Sequence, residues 1–220
     1  MILFWYSCFI TTTLMHIKTR SMFRRGVPQK HRYQEPETGT CLAGGGIVFF
    51  NSEGMYLLRE RAYSRKKKQH LTDFGGKYES DDIDIYQTIS RELSEETYHT
   101  INITREAIRF MYHSRERVIR VYINGQSNSY VTLFIHIDLL PVALYEMLLP
   151  KESISFLDIR KQSLKNNPHV SGHHYRSLSL VYRTYDEIQE EFKKNDSELS
   201  MRLLKTLESN TNLIEKLKDI

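Results

Sequence analysis

The sequence predicts an α/β fold, with one mixed β-sheet, helices on its faces and a C-terminal helical extension. Three observations predict it. Runs rich in branched and aromatic residues alternate with amphipathic segments, the pattern of layered sheets and helices. Fourteen Tyr and ten Phe suit a chain with substantial sheet content. A length of 220 residues is enough for one such domain with a sizeable core, or one domain plus a small accessory element.

Residues 1–39 are expected to form an N-terminal extension and linker, 40–195 the main domain, and 196–220 a C-terminal helix. Met1 to Ile17 is largely apolar and invites a targeting-peptide reading. A secretory signal carries positive charge ahead of its apolar region, whereas Lys18, Arg20, Arg24 and Arg25 all follow it here. The uncharged run also falls short of a membrane span, so no stable membrane insertion is expected. The stretch is read as an extension that packs on the domain or is poorly ordered. Lys18 to Gly39 is polar and basic, with Pro28 and Pro36, and reads as a linker.

Structure should start near Cys41. Ile47 to Phe50 and Met55 to Arg59 read as a hairpin about the turn Asn51–Gly54. Ala62 to His70 is a polar loop holding the run Arg65–Lys68. Asp73-Phe74-Gly75-Gly76 is a tight turn, followed by a helix from about Asp84 to Thr97. Asp81, Asp82 and Asp84 crowd the start of that helix, where acidic side chains cap free N–H groups and complement the dipole. Ile108–Tyr112, Val118–Ile123 and Tyr130–Ile137 read as three strands. Val142–Leu149 reads as a short helix between Pro141 and Pro150, and Ile154–Ile159 as a weak strand. Leu178–Lys194 and Leu199–Leu217 read as helices, the last with leucines near a helical period that could pack in cis or pair two subunits as a homodimer.

Composition narrows the function classes. Hydrophobic residues at 40% and charged residues at 26% describe a soluble, globular chain. A net charge of +4 and a pI near 8.9 favour phosphate-bearing ligands but fall short of a nucleic-acid-binding signature. Two cysteines, Cys8 and Cys41, exclude a disulfide framework and a Cys-based zinc site. They point to a reducing, cytoplasmic compartment with both thiols free.

The helix from Asp84 carries the chemistry. Glu92 and Glu96 lie one turn apart on one face, and Glu95 sits about 60° round from Glu92 at roughly 100° per residue. Ile85, Tyr86, Ile89 and Leu93 form an apolar stripe beside them. The helix can therefore bury one side while lining three carboxylates along the edge of the buried interface. Such a cluster repels itself, by a few tenths of a kcal/mol per helical pair, until a hard divalent cation neutralises it. A solvated acidic face is the alternative. The Gly75-Gly76 turn favours the cation, since glycine lets backbone carbonyls approach a metal where a side chain would obstruct.

The stretch Asp73-Phe74-Gly75-Gly76-Lys77-Tyr78-Glu79, followed after a gap by Arg91-Glu92-Leu93-Ser94-Glu95-Glu96-Thr97, resembles the signature of the Nudix hydrolases. Its second half matches position by position. The resemblance spans about residues 40 to 165 and implies a Nudix-like α/β/α sandwich. It further implies Mg²⁺-dependent (or Mn²⁺-dependent) hydrolysis of a phosphoanhydride bond. Glu92, Glu95 and Glu96 would ligate the metal with a backbone carbonyl of Gly75 or Gly76. Arg91 would pair with a carboxylate of the helix and hold its rotamer.

Three departures qualify the match. One extra residue separates Gly76 from Arg91, so Asp82 is the best match for the family's spaced Glu, with Asp81 and Asp84 as rivals. Tyr98 and His99 stand where a Gly and an apolar residue usually follow the last Glu. A longer or differently terminated helix is therefore expected, with Tyr98 partly packed. Phe74 replaces a frequent Pro.

Arg59, Arg61 and Lys77 are phosphate-contact candidates, because they adjoin the metal turn or end a strand aimed near it. The Arg65–Lys68 loop could hold polyphosphate, inositol phosphate or an RNA backbone, or be a solvated charge run. Of Ser171-Gly172-His173-His174-Tyr175-Arg176, Tyr175 could stack on a base and Arg176 contact a phosphate. His113 and His136 are general-base candidates only in that histidine as a residue type titrates near neutrality, and the place of His136 inside an apolar strand reads as structural. The expected substrate is a nucleoside diphosphate derivative. RNA decapping, RNA 5′ pyrophosphohydrolysis and a catalytically silent nucleotide-binding module are the alternatives.

Overall fold

The computed structural model describes residues 32–61, 69–114, 116–124, 129–166 and 176–220. The apolar stretch 1–17, the basic run 65–68 and the motif residues 171–175 lie outside the described residues.

One mixed sheet organises the chain. Its main path runs β6 (Val118–Ile123), β7 (Ser129–His136), β2 (Cys41–Asn51), β3 (Gly54–Arg61), β9 (Ser177–Thr184) and β8 (Ile154–Ser155). β2 and β7 pair in parallel, and the other pairings are antiparallel. A short β1 (Tyr33–Gln34) pairs with the start of β2, so part of the expected linker is strand.

The β2–β3 hairpin opens below Phe49 and Tyr56, and the next segment fills the opening. β4 (Gln69–Thr72) runs up along β3, with Leu58 opposite Thr72. The chain turns at Asp73, and β5 (Phe74–Lys77) runs back down β2, with Ile47 opposite Phe74. This wedge places Gly75 and Gly76 in the sheet beside α1 (Ile85–Glu96).

Strand alternation divides the core between the two faces. Ile47, Phe49, Tyr56 and Leu58 face one cluster with Ile85, Ile89 and Leu93 of α1 and with Ile108, Met111 and Tyr112 of α2 (Arg105–His113). Val48, Phe50, Met55 and Leu57 face the other. There they meet Tyr185 and Ile188 of α5 (Tyr185–Lys193), Leu203 and Leu207 of α6 (Met201–Glu208), and Leu213 and Leu217 of α7 (Leu213–Lys218). Helices thus cover both faces of the sheet. The C-terminal leucines, Leu199 included, pack in cis. Among the described residues, no helix is long and apolar enough to cross a membrane.

Several elements differ from the sequence expectation. Ile108–Tyr112 is helical, within α2. Its apolar positions 108, 111 and 112 repeat at helical spacing, and Thr104 accepts from the Ala107 N–H as a cap. Leu178–Lys194 is a strand followed by a helix. The Thr184–Glu187 capping box ends β9 and starts α5. Ile154–Ile159 contributes two strand residues and then the start of α4 (Leu157–Asn166). Leu199–Leu217 breaks into α6 and α7 rather than one helix. Between β7 and β8, α3 (Val142–Leu148) forms after Pro141 as expected.

Candidate functional site

Asp84 starts α1 by accepting from the Gln87 N–H at 3.0 Å, and the apolar stripe holds the helix against the glycine strands. The end of α1 is unusual. Tyr98 and His99 adopt left-handed backbone angles, with φ of 51° and 62°. Their N–H groups return to Glu95 and Ser94 carbonyls at 3.2 and 2.7 Å. The helix therefore stops where a glycine would have stopped it, rather than running on, and two non-glycine residues carry the strain. Tyr98 is held by an edge contact with Phe156 and a hydrogen bond from its hydroxyl to the Ser177 carbonyl at 3.0 Å.

α1 lays its acidic edge on the wedge. The Gly75 N–H donates to Glu96 Oε2 at 2.8 Å. A methyl group on Gly76 would come within 2.2 Å of Glu92 Oε1, so only glycine permits this contact. Arg91 organises the other acids. Its Nε and Nη2 grip Asp82 at 3.0 and 2.9 Å, and Nη1 reaches Glu92 at 2.9 Å and Glu95 at 3.3 Å. Its Nη2 also donates to the Lys77 carbonyl at 3.0 Å. Asp82 is buried and further accepts from the Glu79 N–H and the Thr88 hydroxyl.

The electrostatics separate these acids. Burial works against the Asp82 anion, yet the Arg91 fork and the Glu79 N–H hold its carboxyl below the ordinary carboxylate value. Burial raises Glu92, with Glu95 adding to the push and Arg91 opposing it. Burial raises Glu96 well above its ordinary value, and the charges of Glu92, Glu60 and Asp73 push it the same way against the pull of Arg202. Glu92 and Glu96 are therefore carboxyls short of compensating positive charge.

The structure brings Glu92, Glu95, Glu96, Arg91, Gly75 and Gly76 together. Among the described residues, however, no three His, Cys, Asp or Glu side chains converge into a metal-holding group. The Arg91 fork holds Glu92 and Glu95, while Gly75 holds Glu96. Lys77 is exposed and meets the site through its carbonyl. Arg59 alternates with Leu58 and Glu60 along β3, so it leaves on the face opposite α1, where it lies 3.9 Å from Glu198. Arg61 is exposed, and its carbonyl accepts from Arg176 Nε at 2.9 Å. Arg176 also lies 3.6 Å from Glu60, and Tyr175 is outside the described residues. His136 packs its ring on Phe50 and accepts from the Asp138 N–H, and burial lowers its pKa, which agrees with a structural role. His113 is engaged by Tyr86 and Glu37.

Sequence reasoning missed three participants. Glu60 on β3, bonded to His70 at 2.8 Å, lies close enough to bear on Glu96. Asp73 and Arg202 form an ion pair at 2.6 Å behind the glycine pair. Asp73 stood beside the glycines in the sequence and was legible; nothing in the sequence marked Arg202.

The described fold and site define an α/β protein with a carboxylate-edged helix seated on a glycine wedge. No protein-family profile matches the chain, and no curated protein matches it. Among solved structures, it is similar to a bifunctional NMN adenylyltransferase/ADP ribose pyrophosphatase from Francisella tularensis, crystallised with AMP and a manganese ion. That likeness has 20% identity and a TM-score of 0.30, over 42% of this chain and 26% of the other. The chain spans about a quarter of that protein's length, and so distant a likeness assigns no residue a role.

Proposed function

We propose that the chain is a Nudix-type pyrophosphohydrolase that hydrolyses a phosphoanhydride bond in a nucleoside diphosphate derivative with Mg²⁺ or Mn²⁺. One observation carries this reading. Glu92 and Glu96, two of the three glutamates in the Arg91–Thr97 half of the signature-like stretch, lie against Gly75 and Gly76 with their carboxyls raised by burial and by neighbouring acids, Glu95 for Glu92 and Glu92 for Glu96. Oxygen donors in this state suit a hard divalent cation, so the donor chemistry fits the metal. The Gly75 N–H leaves the strand towards Glu96, and its carbonyl leaves on the same side, which makes Gly75 the better backbone donor of the pair.

Glu92, Glu96 and the Gly75 carbonyl would hold the ion, which would supply positive charge to these carboxylates and to the substrate's phosphate oxygens. The chain's own contribution is placement. Asp82 fixes Arg91, and Arg91 in turn holds Glu92 and Glu95 in their rotamers. Glu96 or Glu92 orients the attacking water. A catalytically silent nucleotide-binding module is the second reading, favoured by the absence of a three-acid cluster among the described residues.

Phosphate or mononucleotide release is to be measured with Mg²⁺ on a panel of ADP-ribose, dinucleoside polyphosphates, nucleoside triphosphates and capped RNA. Turnover of a free nucleotide, lost at least about 100-fold in Glu96→Gln, is the expected result. Near-parental activity in that variant removes the ligand assignment. Metal binding with no turnover of any substrate selects the silent module, and turnover confined to capped RNA selects decapping.

A further inference from the structure

Behind the glycine wedge, on the face opposite α1, stands a second charged assembly. Arg202 of α6 donates through Nε to Asp73 Oδ1 at 2.6 Å, and through Nη2 to Thr72 Oγ1 at 3.2 Å and the Asp73 carbonyl at 3.4 Å. Its guanidinium lies 4.9 Å from the Tyr130 ring centroid, and the Tyr130 hydroxyl donates to Asp73 Oδ2 at 3.0 Å. Asp73 is 1% exposed, at the corner where β4 becomes β5. The helix carrying Arg202 is fastened to the same corner. Leu71 N–H donates to the Glu198 carbonyl at 2.8 Å, Ser200 N–H to the Leu71 carbonyl at 2.7 Å, and Ser200 Oγ caps α6. The start of α6 is thereby fixed beside Asp73.

Two adjacent glycines let this assembly act through the sheet. Gly76 faces Glu92, while a methyl on Gly75 would lie 2.4 Å from the Tyr130 hydroxyl. No side chain thickens the strand between the two faces. Arg202 on Tyr130, the Tyr130 hydroxyl beside Gly75, and the Gly75 N–H bond to Glu96 at 2.8 Å thus join the two assemblies across one glycine strand, and the Arg202 charge favours the Glu92 and Glu96 anions while that of Asp73 disfavours the Glu96 anion.

We propose that Arg202 is a positioning residue for the acidic edge. It is a resident cation, delivered by α6, that partly neutralises Glu92 and Glu96 through the glycine wedge and so sets how tightly they take up a divalent ion. The proposal rests on reading those glutamates as metal ligands. It makes a prediction that a purely structural ion pair does not: removing Arg202 strengthens metal binding, because the carboxylates lose a competing positive charge.

The test is Mn²⁺ binding to the purified full chain, by calorimetry and by loss of the free-ion EPR signal. Arg202→Gln is expected to tighten Mn²⁺ about five- to tenfold, and Arg202→Lys to stay within about twofold of the parent. Asp73→Asn, which removes the opposing negative charge, is expected to weaken Mn²⁺ by a similar factor. Unchanged or weaker binding in Arg202→Gln overturns the proposal. Should that variant not fold, Asp73→Asn decides, and unchanged or tighter binding there overturns it. Failure of the underlying site reading has its own signature. The parent then takes up no Mn²⁺, or Glu96→Gln leaves its Mn²⁺ affinity intact, and both readings fall together.

Discussion

The two ends of α1 treat negative charge in opposite ways. At its start, each buried aspartate is gripped by an arginine. Arg91 grips Asp82 from two nitrogens, and Arg105 reaches Asp84 at 2.5 Å. At its end, Glu92 shares Arg91 with two other acids, and Glu96 has, among the described residues, one glycine N–H and the more remote charge of Arg202. Asp82 consequently ionises more readily than an ordinary carboxyl, whereas Glu92 and Glu96 ionise less readily. Charges that build a fold are compensated within it. Charges left wanting are where an external cation has something to gain.

The largest test of this contrast is Asp82→Ala. It leaves the partly buried Arg91 without its fork partner and frees the Thr88 hydroxyl and Glu79 N–H, at a cost of about 3 kcal/mol of stability in urea unfolding. A loss no larger than that of an exposed aspartate would show that the two ends of α1 do not differ.

A smaller effect is the pH dependence of the metal-free chain. The raised carboxyls of Glu92 and Glu96 contribute stability that is complete below their ordinary value of 4.5 and is lost as pH rises through their folded values. Asp82 has the opposite sign: its contribution is present above 3.8 and is lost as pH falls through its depressed folded value. From neutrality down to about pH 5, acidification should therefore stabilise the parent relative to a Glu92→Gln, Glu96→Gln double variant. Equal slopes for the two proteins in that window would contradict the assignment.

How much of this was legible in the sequence depends on how local the cause is. The acidic helix was legible because its stripe, its Asp84 cap and its glutamates all lie within thirteen consecutive residues. The hairpin and β6–β7 were legible for the same reason. The segment 178–184 read as helix because β9 is central: Leu180 enters one core cluster and Val181 the other, so its apolar residues show no alternation. Ile108–Tyr112 read as strand because Ile, Phe and Tyr favour strands, while Thr104 and the helical spacing of the buried residues decide otherwise. Arg202 was invisible because its meaning depends on Asp73, 129 residues away, which only the folded wedge brings to it.

Thermal unfolding of the parent and of Glu96→Gln, each at neutral pH with and without Mg²⁺, tests the central claim most directly. The account predicts that Mg²⁺ raises the Tm of the parent. It predicts that Glu96→Gln raises the metal-free Tm by removing a poorly compensated, partly buried carboxyl, and that this variant loses most of the response to Mg²⁺. A parent indifferent to Mg²⁺, or a Glu96→Gln variant that responds as strongly as the parent, would contradict it.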